Sequence, residues 1–394
     1  MTLRIILLVL AFLVAVTAFA YGFREMTNRE PGYYEIVAKQ DESASLYTNG
    51  YRLYCYFDGK SNEIKQEFNA ATALYEESMG RIYRLLDACN TYDGYVNLAT
   101  LNQNLNTVQK IPTELYTVLT DAEQRLDRYG LNLYDGILRS NWEAIRYLEE
   151  PLAYDPIYNA DVAERMEKIK KLITDRTALK LEVIDASSCT VRLTASESFL
   201  SALADLEETA PVLELGVLRE AYTLMYVAGK LNAAGFTRGY MTTDSGLTVL
   251  LKDTETGAQP LYTYSDNQLL KAADITLKGS DAICILRAFP LEGDIGYYMA
   301  DGVFRHPYLS ENGEPNRTLL AGIALSDGDI VETCITVMSL FTKESDFPED
   351  AVKQGNITFG WIAKDNPKVL YAEEKLIARV TANTSDGIQA KPVS

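Results

Sequence analysis

Histidine is almost absent from this chain: His306 is the only one in 394 residues. That excludes histidine-rich metal centres and mechanisms that need two imidazoles, and any histidine chemistry has to rest on His306. The five cysteines, Cys55, Cys89, Cys189, Cys284 and Cys334, form no C-x-x-C pair and no zinc-type spacing. Their odd number argues against a full disulfide framework and leaves them as ordinary small packing residues. Positive charge is scarce. There are 37 Lys and Arg against 55 Asp and Glu, a formal net charge of -18. Such a surface repels nucleic-acid phosphates and anionic headgroups, so no nucleic acid is expected as a partner. A phosphorylated ligand would want a metal cation between itself and the protein. There is no internal repeat, no long low-complexity tract and no obvious internal boundary.

What the chain does have, at its start, is one long apolar run. Residues 5–23 (IILLVLAFLVAVTAFAYGF) lie between Arg4 and Arg24. About 20 such residues cross a bilayer as a helix. Two readings stand. One is an uncleaved single-pass anchor with Arg4 on the cytoplasmic side. The other is a signal peptide cut after Ala20, since Ala18-Phe19-Ala20 fits the A-x-A pattern. Both place the remainder outside the cytoplasm. The division expected is residues 1–24 anchor or signal peptide, 25–50 polar linker, and 51–394 one domain.

With 47% hydrophobic residues the domain can bury a large core. YRLYCYF at 51–57 reads as a strand closed by the turn Asp58-Gly59. A helix capped by Ser61 should run to about Asp87, with Ile64, Phe68, Ala71, Tyr75, Met79, Ile82 and Leu86 on one face. A second should run from 113 to 129, stopped by Gly130, and a third, heavily charged, from 161 to 174. A hairpin is expected over 181–194 and a helix over 215–234. Strands follow at 247–251, 282–288, 297–300 and 319–325, a helix at 330–341, and strands near 357–363 and 376–380. Helices and hairpins interleave, which predicts a mixed α+β architecture rather than a doubly wound sheet.

Several segments, taken in order, share one resemblance. DACNTYDGYVNLATLN at 87–102, the Gly136…Trp142 spacing, ELGVLREAY at 214–222, LEGD at 291–294, HPYLSENGEP at 306–315 and ETCIT at 332–336 occur in that order. Together they resemble the motifs of the FAD:protein FMN transferases (ApbE-type), with the likeness running from about Tyr51 to the end. That resemblance implies magnesium-dependent transfer of FMN from FAD to a Ser or Thr hydroxyl of an exported partner protein, releasing AMP. It also implies roles for particular residues. Glu332 and Thr336 would be the metal pair. Their i,i+4 spacing puts both on one helical face, and Glu332 is one methylene longer than the family's aspartate. His306 would stand beside the flavin phosphates, in proton transfer. Tyr92, Gly216, Tyr222, Ser245, Gly246, Gly293 and Asp294 would line the FAD site.

The chain also departs from the pattern. Leu309 replaces an aspartate, Asn312 a threonine, Glu214 an aspartate, Val217 a small residue, Glu220 a lysine and Asp244 a glycine. Glu220 either brings a negative charge towards the pyrophosphate or faces solvent. Two functions therefore remain: the transferase, or a catalytically degenerate flavin-binding or flavoprotein-interaction protein at the membrane. Hydrolysis of FAD without a protein acceptor is a third.

Overall fold

The computed structural model describes residues 29–38, 46–147, 151–175, 177–289, 297–298, 304–305, 309, 313–343 and 356–393. The apolar run at 5–23, and with it both readings of it, lies outside the described residues. Among the described residues no helix is long and apolar enough to cross a membrane.

A nine-stranded sheet forms the middle layer. Its strands lie side by side in chain order: β1 (Gly32–Ile36), β2 (Tyr51–Phe57), β6 (Gly239–Thr243), β7 (Leu247–Leu250), β10 (Asp281–Arg287), β13 (Leu319–Asp327), β14 (Thr358–Ala363), β15 (Val369–Ala372) and β17 (Gln389–Pro392). Every neighbouring pair is antiparallel except β15 and β17. β10 shows why a strand here reads as an unbroken apolar run. Ala282, Cys284 and Leu286 join a core on one face, while Ile283 and Ile285 join a second core on the other. A strand covered on both faces gains nothing from polar alternation.

The first core is closed by helices α1 (Ser61–Leu86), α7 (Val217–Ala233) and α8 (Ile330–Lys343), with α3 (Thr113–Arg128) packed beyond α8. The second is closed by the hairpin β8 (Thr254–Ser265) and β9 (Gln268–Gly279), joined by β16 (Val380–Ala382). A small sheet of β3 (Val108–Lys110), β5 (Thr190–Ala195) and β4 (Leu179–Asp185) stands apart from the main sheet. So does the short pair β11 (Tyr297–Tyr298) and β12 (Phe304–Arg305). Helices α2 (Leu98–Gln103), α4 (Gly136–Tyr147), α5 (Ala160–Thr174), α6 (Glu197–Asp205) and α9 (Glu374–Ile377), with the 3-10 turns Pro151–Tyr154 and Thr384–Asp386, are the remaining described elements. The mixed α+β architecture is the one expected.

Several details differ from expectation. Residues 32–36, placed in a linker, form β1 and pair with β2. Tyr34 and Ile36 turn towards the helix-side core, but five residues in polar company give too short an alternation to read. Ser61 is not the cap of α1. Lys60 is the extended N-cap residue, and its N–H donates to the Glu63 carboxylate at 2.8 Å. The Ser61 hydroxyl instead accepts the Arg29 N–H at 3.0 Å. The strand expected over 376–380 is the one-turn helix α9, with β16 beginning only at Val380. The β8–β9 hairpin was not anticipated. Its turn, Asp266-Asn267, has positive φ at both residues (53° and 59°), the requirement of a tight primed turn met without glycine.

Candidate functional site

α3, α7 and α8 converge on a charged network. Glu332 and Thr336 do share one face of α8, and both are buried. The Thr336 hydroxyl donates to the Glu332 carbonyl oxygen at 2.9 Å and lies 3.2 Å from the Tyr129 hydroxyl. The Glu332 carboxylate is held by three donors. Arg125 Nη1 and Arg128 Nη2 each reach Oε2 at 2.9 Å, and the Tyr129 hydroxyl reaches Oε1 at 3.0 Å. Arg125 goes further. Its Nη1 donates to Asp329 at 2.7 Å, and its Nε to both Asp121 oxygens at 2.9 Å. Asp121 in turn accepts the Tyr222 hydroxyl at 2.8 Å. Three expected site residues, Tyr222, Glu332 and Thr336, thus belong to one network.

Burial alone would weaken the charge on Arg125, but Asp329 and Asp121 outweigh it and hold the guanidinium well above its ordinary range. Burial, with Glu332 alongside, pushes the Tyr129 phenol up to about 12. Burial and Asp121 likewise push Tyr222 far up, so both phenols act as donors.

Magnesium does not fit this arrangement. It needs open carboxylate oxygens at about 2.1 Å in octahedral array. Both Glu332 oxygens already carry donors. Asp329 spends one oxygen on Arg125 and the other on the Glu332 N–H at 3.0 Å. Among the described residues no group of three or more His, Cys, Asp or Glu is disposed to hold a metal ion. Of the pair expected to hold a metal, the Glu332 carboxylate is held by Arg125, Arg128 and Tyr129, and the Thr336 hydroxyl by Tyr129 and the Glu332 carbonyl. The signal that could have found this was the Asp121-x-x-x-Arg125-x-x-Arg128 spacing on α3, opposite a glutamate on α8.

A second corner lies where α7 meets the turn between β6 and β7. The Ser245 hydroxyl donates to the Glu220 carboxylate. It also sits 2.7 Å from the Thr243 hydroxyl. Glu220 therefore turns inward, against the solvent-facing alternative. Burial raises its carboxyl above the usual range, and the opposing pull of Ser245, Thr243 and Arg219 is the smaller effect. Gly246 answers to the sheet: its φ is +110°, and a Cβ there would sit 2.0 Å from the Ile285 carbonyl oxygen. Asp244, where glycine was expected, pairs with Arg52 at 3.1 Å on the surface.

The 87–102 segment builds a self-supporting loop. Asp87 accepts the Cys89 and Asn90 amides at 2.9 Å each, and the Tyr92 hydroxyl at 2.6 Å. Asn97 caps α2 through the Thr100 N–H at 3.0 Å. Asn102 ties the loop to the approach to α7, donating to the Leu213 carbonyl at 2.9 Å and accepting its N–H at 3.0 Å. Tyr92 thus has its hydroxyl committed to the loop and its ring half-buried.

Beyond Leu213 stands Gly216, the N-cap of α7, with φ +53°. A Cβ there would fall 1.6 Å from Arg139 Nη1. Arg139, from α4, is buried and pairs with Asp135 at 2.7 and 2.9 Å. Its Nε is buried without a hydrogen-bond partner among the described residues. Asp135 pairs with this guanidinium and Glu214 and Glu143 stand near it, so what Arg139 keeps at the start of a 17-residue helix is a spare N–H donor beside the helix N-terminus. Arg139 was missed because the α4 motif was read only through Gly136 and Trp142. Trp142 itself reaches across to the Gly313 carbonyl at 2.9 Å, joining two of the matched segments. His306, Gly293 and Asp294 lie outside the described residues.

No protein-family model matches the chain, and no curated protein matches it. Solved structures do. The ApbE protein of Thermotoga maritima superposes with a TM-score of 0.59 at 12% identity, covering 88% of this chain and 99% of that one. The flavin transferase ApbE of Vibrio cholerae gives 0.58 at 14% identity over 89% and 99%. The apo flavinyl transferase ApbE of Pseudomonas stutzeri gives 0.58 at 11% over 89% and 97%. The chain thus has the fold of the ApbE flavin transferases over 88–89% of its length.

Proposed function

We propose that this protein binds FAD and transfers its FMN half to a Ser or Thr hydroxyl of a partner protein outside the cytoplasm. In that reaction the hydroxyl oxygen forms a bond to the flavin-side phosphorus, the pyrophosphate P–O bond breaks, the hydroxyl proton is lost and AMP departs. The observation that carries this reading is Arg139. Its guanidinium, packed against Gly216 and paired with Asp135, keeps one unpartnered N–H at Nε that a phosphate oxygen would accept, in the segment whose sequence resembles the transferase motif. His306 is the imidazole that the resemblance offers as proton acceptor. Magnesium at Glu332 and Thr336 is not part of this reading, because those oxygens are already held by Arg125, Arg128 and Tyr129.

A second reading has its own support. The same occupied carboxylate removes the metal that would neutralise a departing phosphate, which favours flavin or flavoprotein binding without turnover. Incubation with FAD, with and without EDTA, separates the two. AMP release and flavin attached to an acceptor peptide support transfer. FAD binding seen by fluorescence with neither product supports the binding protein. Neither binding nor product overturns both. Arg139→Gln should weaken FAD binding by roughly tenfold or more if the guanidinium meets a phosphate.

The extracytoplasmic site follows from the run at 5–23, as an anchor or as a cleaved signal. The Arg29 N–H is bound to Ser61, and its guanidinium lies 3.8 Å above the Phe68 ring. An uncleaved anchor ending at Arg24 would therefore hold the fold close to the bilayer. Protease protection in membrane vesicles tests the placement, and a domain shielded on the cytoplasmic side would refute it.

A further inference from the structure

We propose that Arg125 is a built-in cation: its guanidinium occupies the acidic pocket of Asp121, Asp329 and Glu332 and makes this part of the fold independent of divalent metal. The three carboxylates come from two helices and the turn before α8, and without a cation they would repel one another. Arg125 contacts all three, at 2.7 to 2.9 Å. Arg128 adds a second guanidinium on Glu332. Three negative and two positive charges leave a local net charge of minus one. A divalent ion entering beside both arginines would turn that to plus one while competing for oxygens that already carry donors. Expelling Arg125 would in turn cost its contacts with all three carboxylates.

The placement of the side chain is also dictated locally. Asp121 and Arg125 lie one turn apart on α3, so the pair forms within the helix and aims the guanidinium at α8. Tyr129, a further turn on, secures the far side of Glu332 and the Thr336 hydroxyl. The side chains resembling a metal pair are thus part of a closed protein network, and the cation is covalently part of the chain. This inference rests on the Arg125 geometry and holds whether or not FMN is transferred; AMP release tests the flavin reading, whereas cation response tests this one.

The test uses the full-length chain with Mg2+, Mn2+ and Tb3+ as probes. For the wild type, the melting temperature should be unchanged by millimolar Mg2+ or Mn2+ and by EDTA. Tb3+ should show no saturable emission on tyrosine excitation. Arg125→Ala should melt lower in EDTA, recover by several degrees in Mn2+, and give saturable Tb3+ emission sensitised by Tyr129 and Tyr222. Arg125→Gln, which keeps bulk and one donor group, is the companion should the alanine variant fail to fold. Wild-type stabilisation by Mn2+ that Glu332→Gln abolishes would overturn the proposal. So would folded Arg125 variants that ignore all three cations.

Discussion

Glu332 and Glu220 sit on packed helices, each at a motif position where the related pattern has another residue, and they meet opposite fates. Glu332 is buried among guanidinium groups and a phenol, so its charge is matched where it stands. Glu220 is enclosed by hydroxyls at the β6–β7 turn, and burial lifts its carboxyl above the usual range. Enclosing a carboxylate costs free energy unless an opposite charge or enough donors come with it. The comparison teaches that a glutamate's role here is set by what the neighbouring element contributes, not by its own position in a motif.

The largest break in that comparison is expected from Glu332→Ala. It removes the acceptor of Tyr129 and one partner of Arg125, which keeps Asp121 and Asp329, and releases the half-exposed Arg128 to solvent. A loss of about 3 kcal/mol in denaturant unfolding is expected, from the unpaired buried phenol and the lost charged hydrogen bonds. A loss below 1 kcal/mol would mean that the network is solvated rather than closed. Next, Gly246→Ala should cost about 2–3 kcal/mol, because positive φ and the nearby Ile285 carbonyl both oppose a Cβ. If the glycine served a ligand alone, stability would hold and only FAD binding would fall.

Tyr129→Phe removes one donor from Glu332 while keeping the ring. About 1 kcal/mol should be lost, measured by urea unfolding, with the two arginine contacts intact. The smallest effect concerns Glu220. A carboxyl raised in the folded state binds more protons than in the unfolded chain, so stability falls as pH climbs from the ordinary glutamate range through the raised value. Glu220→Gln should therefore leave the melting temperature nearly unchanged at pH 4 and raise it by about 2 °C at pH 8. A pH-independent difference between the two proteins would show that Glu220 is solvated.

Much of the framework was legible. The apolar faces of α1 and α3 were read from residues 64–86 and 115–126 because a 3.6-residue period repeats long enough to be distinct. β2 was bounded correctly by YRLYCYF and its Asp-Gly turn. The matched segments at 136–142 and 306–315 do meet, through Trp142 and Gly313. Other parts were not legible for stated reasons. β1 is too short to show alternation. The β8–β9 hairpin turns on Asp-Asn rather than a glycine pair. Leu376 and Ile377 fit a strand or a helical turn equally well until the second core is seen to receive them from α9.

By itself the sequence determined the charge balance, the apolar run at 5–23, the alternation of helices and strands, and which residues had to be buried. These are local or compositional properties, and they survive without knowing which elements touch. The tertiary structure alone decided that Arg125 would sit among Asp121, Asp329 and Glu332, that Arg139 would lie across Gly216, and that Glu220 would turn towards Ser245. Each depends on side chains brought together from elements distant in sequence. Electrostatic interaction at 3 Å is governed by that meeting, and spacing along the chain does not report it.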